Sequence, residues 1–397
     1  MAGWWIAAGA LAAGFAVLAL MLVWWLVSAR MSWHLTDGLP SDADAARGFS
    51  WPATSQDVAR AVGSSIIAGV RGHSERGGDV PALPAGAARL VAGSKVSSDL
   101  ISKYEACLGR ESSTAPGRPS PMLFLHSASF GMQLSLLTCP RLPFGLIGSV
   151  HYACRVFQLR PLHLASPLRV RAEFGRAARP HRRGSVVDVN VRAWLADDGE
   201  TAPERVRVTN SFLFFHRRSR FDAGERPPAD EPVRGPGDGE LRIGVEHASA
   251  WAALTGDVNP IHMSDVAAQL LGVARRRIVH GMCALDMAMP ALLRAAAAAT
   301  LAEADAAKAG AAMGSSPGMC PEAMLPACVE VKFTRPLEVP ATVRVAVIEA
   351  PKDWAVHAGE PPAVFARLDD GGSGRAFQEV ALTTGDAAHR RAFRPIP

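Results

Sequence analysis

Lysine is scarce in this chain of 397 residues: of its 42 basic residues, only Lys95, Lys103, Lys308, Lys332 and Lys352 are lysines. The rest are scattered arginines, and 37 acidic residues bring the net charge to only +5, so no basic tail or stripe exists to track a nucleic-acid backbone. No DNA- or RNA-binding motif occurs either, which removes nucleic acid as an expected partner. Cysteine is also thin. Cys107, Cys139, Cys154, Cys283, Cys320 and Cys328 are widely spaced and contain no CxxC pair, which argues against a zinc site or a dense disulfide framework and fits a reducing compartment. The HExxH and HxxxH spacings of helical metal sites are absent as well.

One stretch lacks charge altogether. Residues 3–28 are almost wholly apolar, about 26 residues, enough for a helix to cross a hydrocarbon core of roughly 30 Å. Trp4 and Trp5 stand at one end, Trp24 and Trp25 at the other, the spacing of two interfacial aromatic belts. A cleaved signal peptide would have a shorter apolar core behind a basic residue, so the reading is an N-terminal transmembrane helix. Arg30 and His34 follow the run, which puts the remainder of this single-pass chain on the cytoplasmic side.

Length predicts about two further cores. Residues 33–81 read as a spacer. Residues 82–216 hold a short amphipathic helix over 95–107 and an apolar helix over 122–137, then strand-like runs at 146–159, 168–174, 185–195 and 205–215, rich in Val, Phe and alternating Arg. Residues 217–240, rich in Pro, Gly, Asp and Arg, form a linker. Residues 241–384 repeat the plan: a short strand at 241–245, a helix capped by Ser249, an apolar helix over 278–293 that runs toward 312, an insertion at 314–326, and strands at 328–333, 342–348, 363–368 and 376–383. Residues 385–397 are left as a tail. Helix followed by strands, twice, is the mark of a duplicated α+β unit.

The chemistry concentrates in residues 251–290, WAALTGDVNPIHMSDVAAQLLGVARRRIVHGMCALDMAMP. Asp257 and His262, in a loop bent by Gly256 and Pro260, can converge on one water, the carboxylate accepting a proton while the imidazole orients the water or returns a proton. Asn259 can brace the loop. Gly281 allows close backbone approach, and its N–H at a helix start can stabilise an enolate-like oxygen. The plainer reading of the same residues is a turn and a solvated histidine. Asp257, His262 and His280 could also ligate a metal, a reading that the spacing does not favour.

The segments ALTGDVNPIH (253–262) and IVHGM (278–282), in order and separated by an apolar stretch, resemble the hydratase 2 motif of the MaoC-like dehydratases, which include the (R)-specific enoyl-CoA hydratases. VEVKFTRPL at 329–337 resembles the strand that follows, and GLIGSVHYACRVFQLRPL at 145–162 carries a fainter likeness in the first unit. The resemblance implies an α+β fold of two hot-dog units, each a central helix wrapped by an antiparallel sheet, forming a double hot-dog. It implies Asp257 and His262 as the dyad that adds water across a trans-2-enoyl thioester to give the 3R alcohol, with no cofactor and no metal. Asn259 supports the dyad, Gly281 N–H polarises the thioester carbonyl, and His280 is structural.

The first unit lacks GDxNPxxH and is read as the non-catalytic half. Phe124, Phe130, Met132 and Leu136 are candidates to line an acyl pocket, against a plain core role. Arg275, Arg276 and Arg277 are candidates for the phosphates of CoA, against simple solvation. The expected partner is an acyl-CoA or acyl carrier protein substrate, in fatty acid metabolism, and the chain is a monomer or a homodimer. The readings kept beside this hydro-lyase are a non-catalytic acyl-thioester binding protein and a hot-dog thioesterase.

Overall fold

This computed structural model describes residues 89–95, 98–111, 119–137, 142, 144, 149–163, 166–175, 177–199, 201–215, 239–302, 324–351, 364–371 and 375–392. The apolar run 3–28, the spacer 33–81 and nearly all of the linker and the insertion lie outside the described residues.

In chain order the first half contains β1 (Arg89–Lys95), α1 (Ser98–Cys107), α2 (Phe124–Ala128), α3 (Phe130–Leu137), β2 (Val150–Gln158), β3 (Pro167–Phe174), β4 (Arg179–His181), β5 (Gly184–Leu195) and β6 (Val206–Phe215). The second contains β7 (Gly239–Ile243), α4 (Val245–Thr255), α5 (Pro260–Met263), α6 (Asp265–Leu270), α7 (Gly281–Ala302), β8 (Ala327–Phe333), β9 (Ala341–Ile348), β10 (Val364–Asp370), β11 (Arg375–Thr384) and α8 (Gly385–Ala392).

The strands join one antiparallel sheet in the order β1-β3-β5-β6-β2-β8-β11-β10-β9-β7, with β4 beside β5. The order repeats. Strands taken first, third, fourth, fifth and second, with β4 set aside, describe both halves, and the two second strands, β2 and β8, meet at the seam. Central strands of such a sheet are covered on both faces, and β2 and β8 accordingly read as runs of buried residues, whereas β3 alternates buried with half-buried. The helix-facing side carries Cys154, Val156, Val329 and Val331 into the main core with Met132, Leu136, Leu285 and Met289. The opposite side carries Phe157 and Cys328, which pack under Ala388 and Ala392 of α8.

On that opposite side, successive side chains alternating across the sheet, Arg155 stands directly across the seam from Glu330. Their side chains are 4% and 1% exposed and form an ion pair, with Arg155 Nε donating to Glu330 Oε1 at 2.7 Å. The halves also interlock through helices. Tyr104 of α1 lies 6.1 Å from Trp251 of α4 and donates its hydroxyl proton to Asp286 of α7, and Arg110 donates to the same carboxylate at 3.1 Å. Burial raises the pKa of Asp286 well above the usual carboxylate range.

Four local features depart from the sequence expectations. The helix expected over 122–137 is two helices, because the Ser129 hydroxyl takes the carbonyl of Leu125 at 2.7 Å and Gln133 reaches back to that of His126, competing with the helical ladder. Ser249 lies inside α4 and is no cap. That helix starts at Val245, and the Gly244 N–H at its head is held by His247 Nδ1 at 3.0 Å. Residues 385–392 of the expected tail form α8, whose alanines let it lie close on the seam. Strand β1, over residues without a clear strand pattern, owes its place to pairing with β3 along seven residues.

Candidate active site

The end of α4 sets the site. Gly256 caps that helix in the left-handed conformation, φ 75°, with its N–H on Ala252 at 2.8 Å; a residue with a Cβ would be strained there. The turn throws Asp257 out of the helix. The Asp257 N–H is held by the Thr255 hydroxyl at 3.1 Å, and that hydroxyl donates to the Trp251 carbonyl at 2.8 Å, so the loop is anchored on a buried indole. Asn259 then caps the single turn of α5, accepting from the Ile261 N–H at 3.3 Å with Pro260 at the first helical position.

The turn of α5 points His262 back toward Asp257. Its Nδ1 lies 2.8 Å from the Ile278 carbonyl, and because a carbonyl only accepts, Nδ1 carries the proton and Nε2 is left as an acceptor. Ile278 N–H in turn donates to the Ile261 carbonyl at 3.0 Å, and Val279 N–H to that of Leu337 at 3.0 Å, which tie the loop before α7 to α5 and to the segment between β8 and β9.

That loop also brings in His280. Its ring stacks on His262 at 3.7 Å between centroids, and its Nε2 lies 3.1 Å from the Asp257 carbonyl and 3.6 Å from Oδ2. One oxygen of Asp257 and one ring nitrogen of each histidine lie within 4.8 Å of one another. Burial holds the pKa of His280 well below the usual imidazole range, with the charge of His262 acting the same way, so this ring is neutral and its approach to Asp257 is not an ion pair. Burial raises the pKa of Asp257 above the usual carboxylate range, partly countered by His262 and by the Asn259 N–H. A carboxyl so placed can hold and release a proton closer to neutrality.

Gly281 opens α7, where the first N–H groups of a helix have no partner within it. Its carbonyl accepts from Gln378 Nε2 at 2.6 Å, and a Cβ at this position would lie 2.5 Å from the ring of Phe333, so only glycine fits between that ring and the site.

The other sequence candidates are spread more widely. Arg277 is bound to Asp265 at 2.8 Å, while Arg275 and Arg276 are exposed on the same loop. Phe124, Met132 and Leu136 are fully buried, Phe124 edge-on to Tyr104, and Phe130 is half-buried. His280, expected to be structural, stands in the site stacked on His262; its signal was its position within IVHGM, directly before Gly281.

Residues 230–309 match the family model described as MaoC like domain. Over 240 residues the chain is 30% identical to 3-hydroxyacyl-thioester dehydratase X of Mycobacterium tuberculosis, covering 60% of this chain and 73% of that protein. The chain belongs to the MaoC-like dehydratase family. Its fold agrees with that membership: the crystal structure of HtdX from Mycobacterium tuberculosis superposes with a TM-score of 0.52 at 22% identity, over 74% of this chain and 98% of that one. Membership and superposition agree on a hot-dog fold, in which the Asp257–His262 loop follows α4 and meets His280 just before α7.

Proposed function

We propose that this MaoC-like protein is a membrane-anchored hydro-lyase of double hot-dog form, interconverting trans-2-enoyl and (3R)-3-hydroxyacyl thioesters. The observation that carries the reading is the paired placement of Asp257 and His262, with His262 Nδ1 committed to the Ile278 carbonyl. A water held between the carboxylate and Nε2 adds its oxygen to C3; one water proton passes to the dyad and a proton returns from the dyad to C2. The atoms balance as water across the double bond, and the reverse sequence is the dehydration. Each such proton transfer contributes about 10²- to 10⁴-fold. The Gly281 N–H supports the thioester oxygen, where negative charge develops. His280, stacked on His262, fixes the plane of that imidazole.

The repeated strand order supports the double form, with the first half, which lacks the dyad, as the non-catalytic partner. The apolar run 3–28 supports an anchor, and exposed Arg275 and Arg276 support a phosphate-bearing carrier, CoA or acyl carrier protein.

The test is loss of enoyl-thioester absorbance when the full-length chain is given crotonyl-CoA, with chiral analysis of the product. Asp257→Asn and His262→Ala are each expected to lose at least about 100-fold in kcat. Full activity in both variants would refute the dyad, and release of free thiol in place of hydration would move the assignment to thioester hydrolysis.

A further inference from the structure

Outside the dyad, unpaired buried polar atoms gather at one place. His126 of α2 is 6% exposed and Asn210 of β6 0% exposed. His126 Nδ1, Nε2 of His151 on β2 and both amide atoms of Asn210 lack a partner in hydrogen-bonding geometry, although the Asn210 side chain stands near enough to both rings to act on their pKa. The two imidazoles lie 5.7 Å apart, nearly parallel at 8°. Asn210 is the cross-strand partner of Cys154, and one ring nitrogen of each histidine lies within 4.8 Å of the other and of the Cys154 Sγ. Leaving one buried polar group unsatisfied is costly, and native structures carry few such groups, so four atoms in one cluster call for a ligand.

The cluster lies in line with the site. The His151 ring is 4.7 Å from that of Phe333, and Phe333 packs directly on Gly281. His151 and Phe333 thus stand between Gly281 and buried His126 and Asn210.

Burial holds the pKa of His151 down to about 4 and that of His126 well below the usual range, so both rings are neutral, each with one donor and one acceptor. Burial pushes the Cys154 thiol up, which keeps it protonated and makes it a poor metal ligand. Neutral donors and acceptors without charge suit an oxygen that both gives and takes a hydrogen bond.

We propose that His126, His151 and Asn210 form a receptor for an uncharged oxygen, a hydroxyl or keto group, carried on the acyl chain beyond the reacting double bond. The substrate class is then an oxygen-substituted acyl thioester, with the non-catalytic half reading the substituent. This rests on the hydratase reading above, but binding tests it separately.

The probes are decanoyl-CoA and its monohydroxy isomers, with the hydroxyl at successive carbons from C5 onward, titrated calorimetrically into the full-length chain. One isomer is expected to bind about tenfold or more tighter than decanoyl-CoA, the scale set by a buried hydrogen bond. In His126→Leu and His151→Phe the ratio is expected to fall to about one with the melting temperature kept or raised, since each removes an unpaired polar group. If one variant fails to fold, the other and the wild-type ratio decide. No preference for any isomer overturns the proposal, as does a stoichiometric zinc ion in the purified protein that is lost in Cys154→Ser. Crotonyl-CoA turnover in the same preparation, with flat selectivity, overturns this inference alone; selectivity without turnover sinks the hydratase reading and leaves the receptor standing.

Discussion

Removing one partner of the seam ion pair, by Glu330→Gln, is expected to destabilise the whole fold. In the native protein Arg155 is 4% exposed and Glu330 1%, so solvent does little to screen either. The guanidinium of Arg155 also bears on Arg207 of the neighbouring strand, where it opposes a second positive charge. Without the carboxylate, Arg155 becomes a buried cation with a like charge nearby, the circumstance in which breaking a pair costs about 3–5 kcal/mol. For a domain of this size that corresponds to a fall of roughly 6–12 °C or more in melting temperature. Replacing both partners by apolar residues, Arg155→Met with Glu330→Leu, removes the buried cation together with the anion across from it and is expected to recover most of the loss. Chemical denaturation of both variants beside wild type measures the two losses. The placement of this pair would be refuted by a single-variant loss under about 1 kcal/mol, the range of an exposed pair. A double variant no better than Glu330→Gln would refute the charge argument itself.

Two further outcomes follow from the site. Gly281→Ala puts a methyl 2.5 Å from the Phe333 ring; thermal melting and kcat are both expected to fall, and Phe333→Leu in the same chain to restore much of the melting temperature; unchanged kcat and melting in Gly281→Ala would contradict the packing. Asp257 has a folded pKa raised by burial, so its ionisation opposes folding. The native state's advantage from the neutral carboxyl is complete below the unfolded value near about 4 and is lost as pH rises through the folded pKa. Asp257→Asn, which cannot ionise, is therefore expected to be more stable than wild type at neutral pH and to lose that margin as pH falls through the folded pKa of Asp257 toward about 4. A margin independent of pH would refute it.

The turn over residues 255–262 was legible because its geometry is local. Gly256, Thr255 and Asn259 act on neighbours within a few residues, so the order of residue types already encodes the turn that faces His262 toward Asp257. The repeated strand order was legible for a similar reason, since each half writes out its own helices and strands in hydrophobic pattern. Ser249 misled because a good capping residue is only a local preference, and the start of α4 was decided by the strand leading into it and by His247.

What the sequence by itself determined, then, is the family motif and the two-fold repetition of helix and strands. Tertiary structure decided which distant residues share a space. His280 meets Asp257 because the Val279–Leu337 and Ile261–Ile278 backbone bonds hold the head of α7 against the loop. Arg155 meets Glu330, 175 residues away, only through the register of β2 on β8. His126, His151 and Asn210 look unremarkable along the chain, one histidine in an apolar helix and two polar residues in strands. Their convergence depends on the pairing of β2 with β6 and on the break at Ser129 that sets α2 over that pair, contacts whose specificity lies in packing and not in any local pattern.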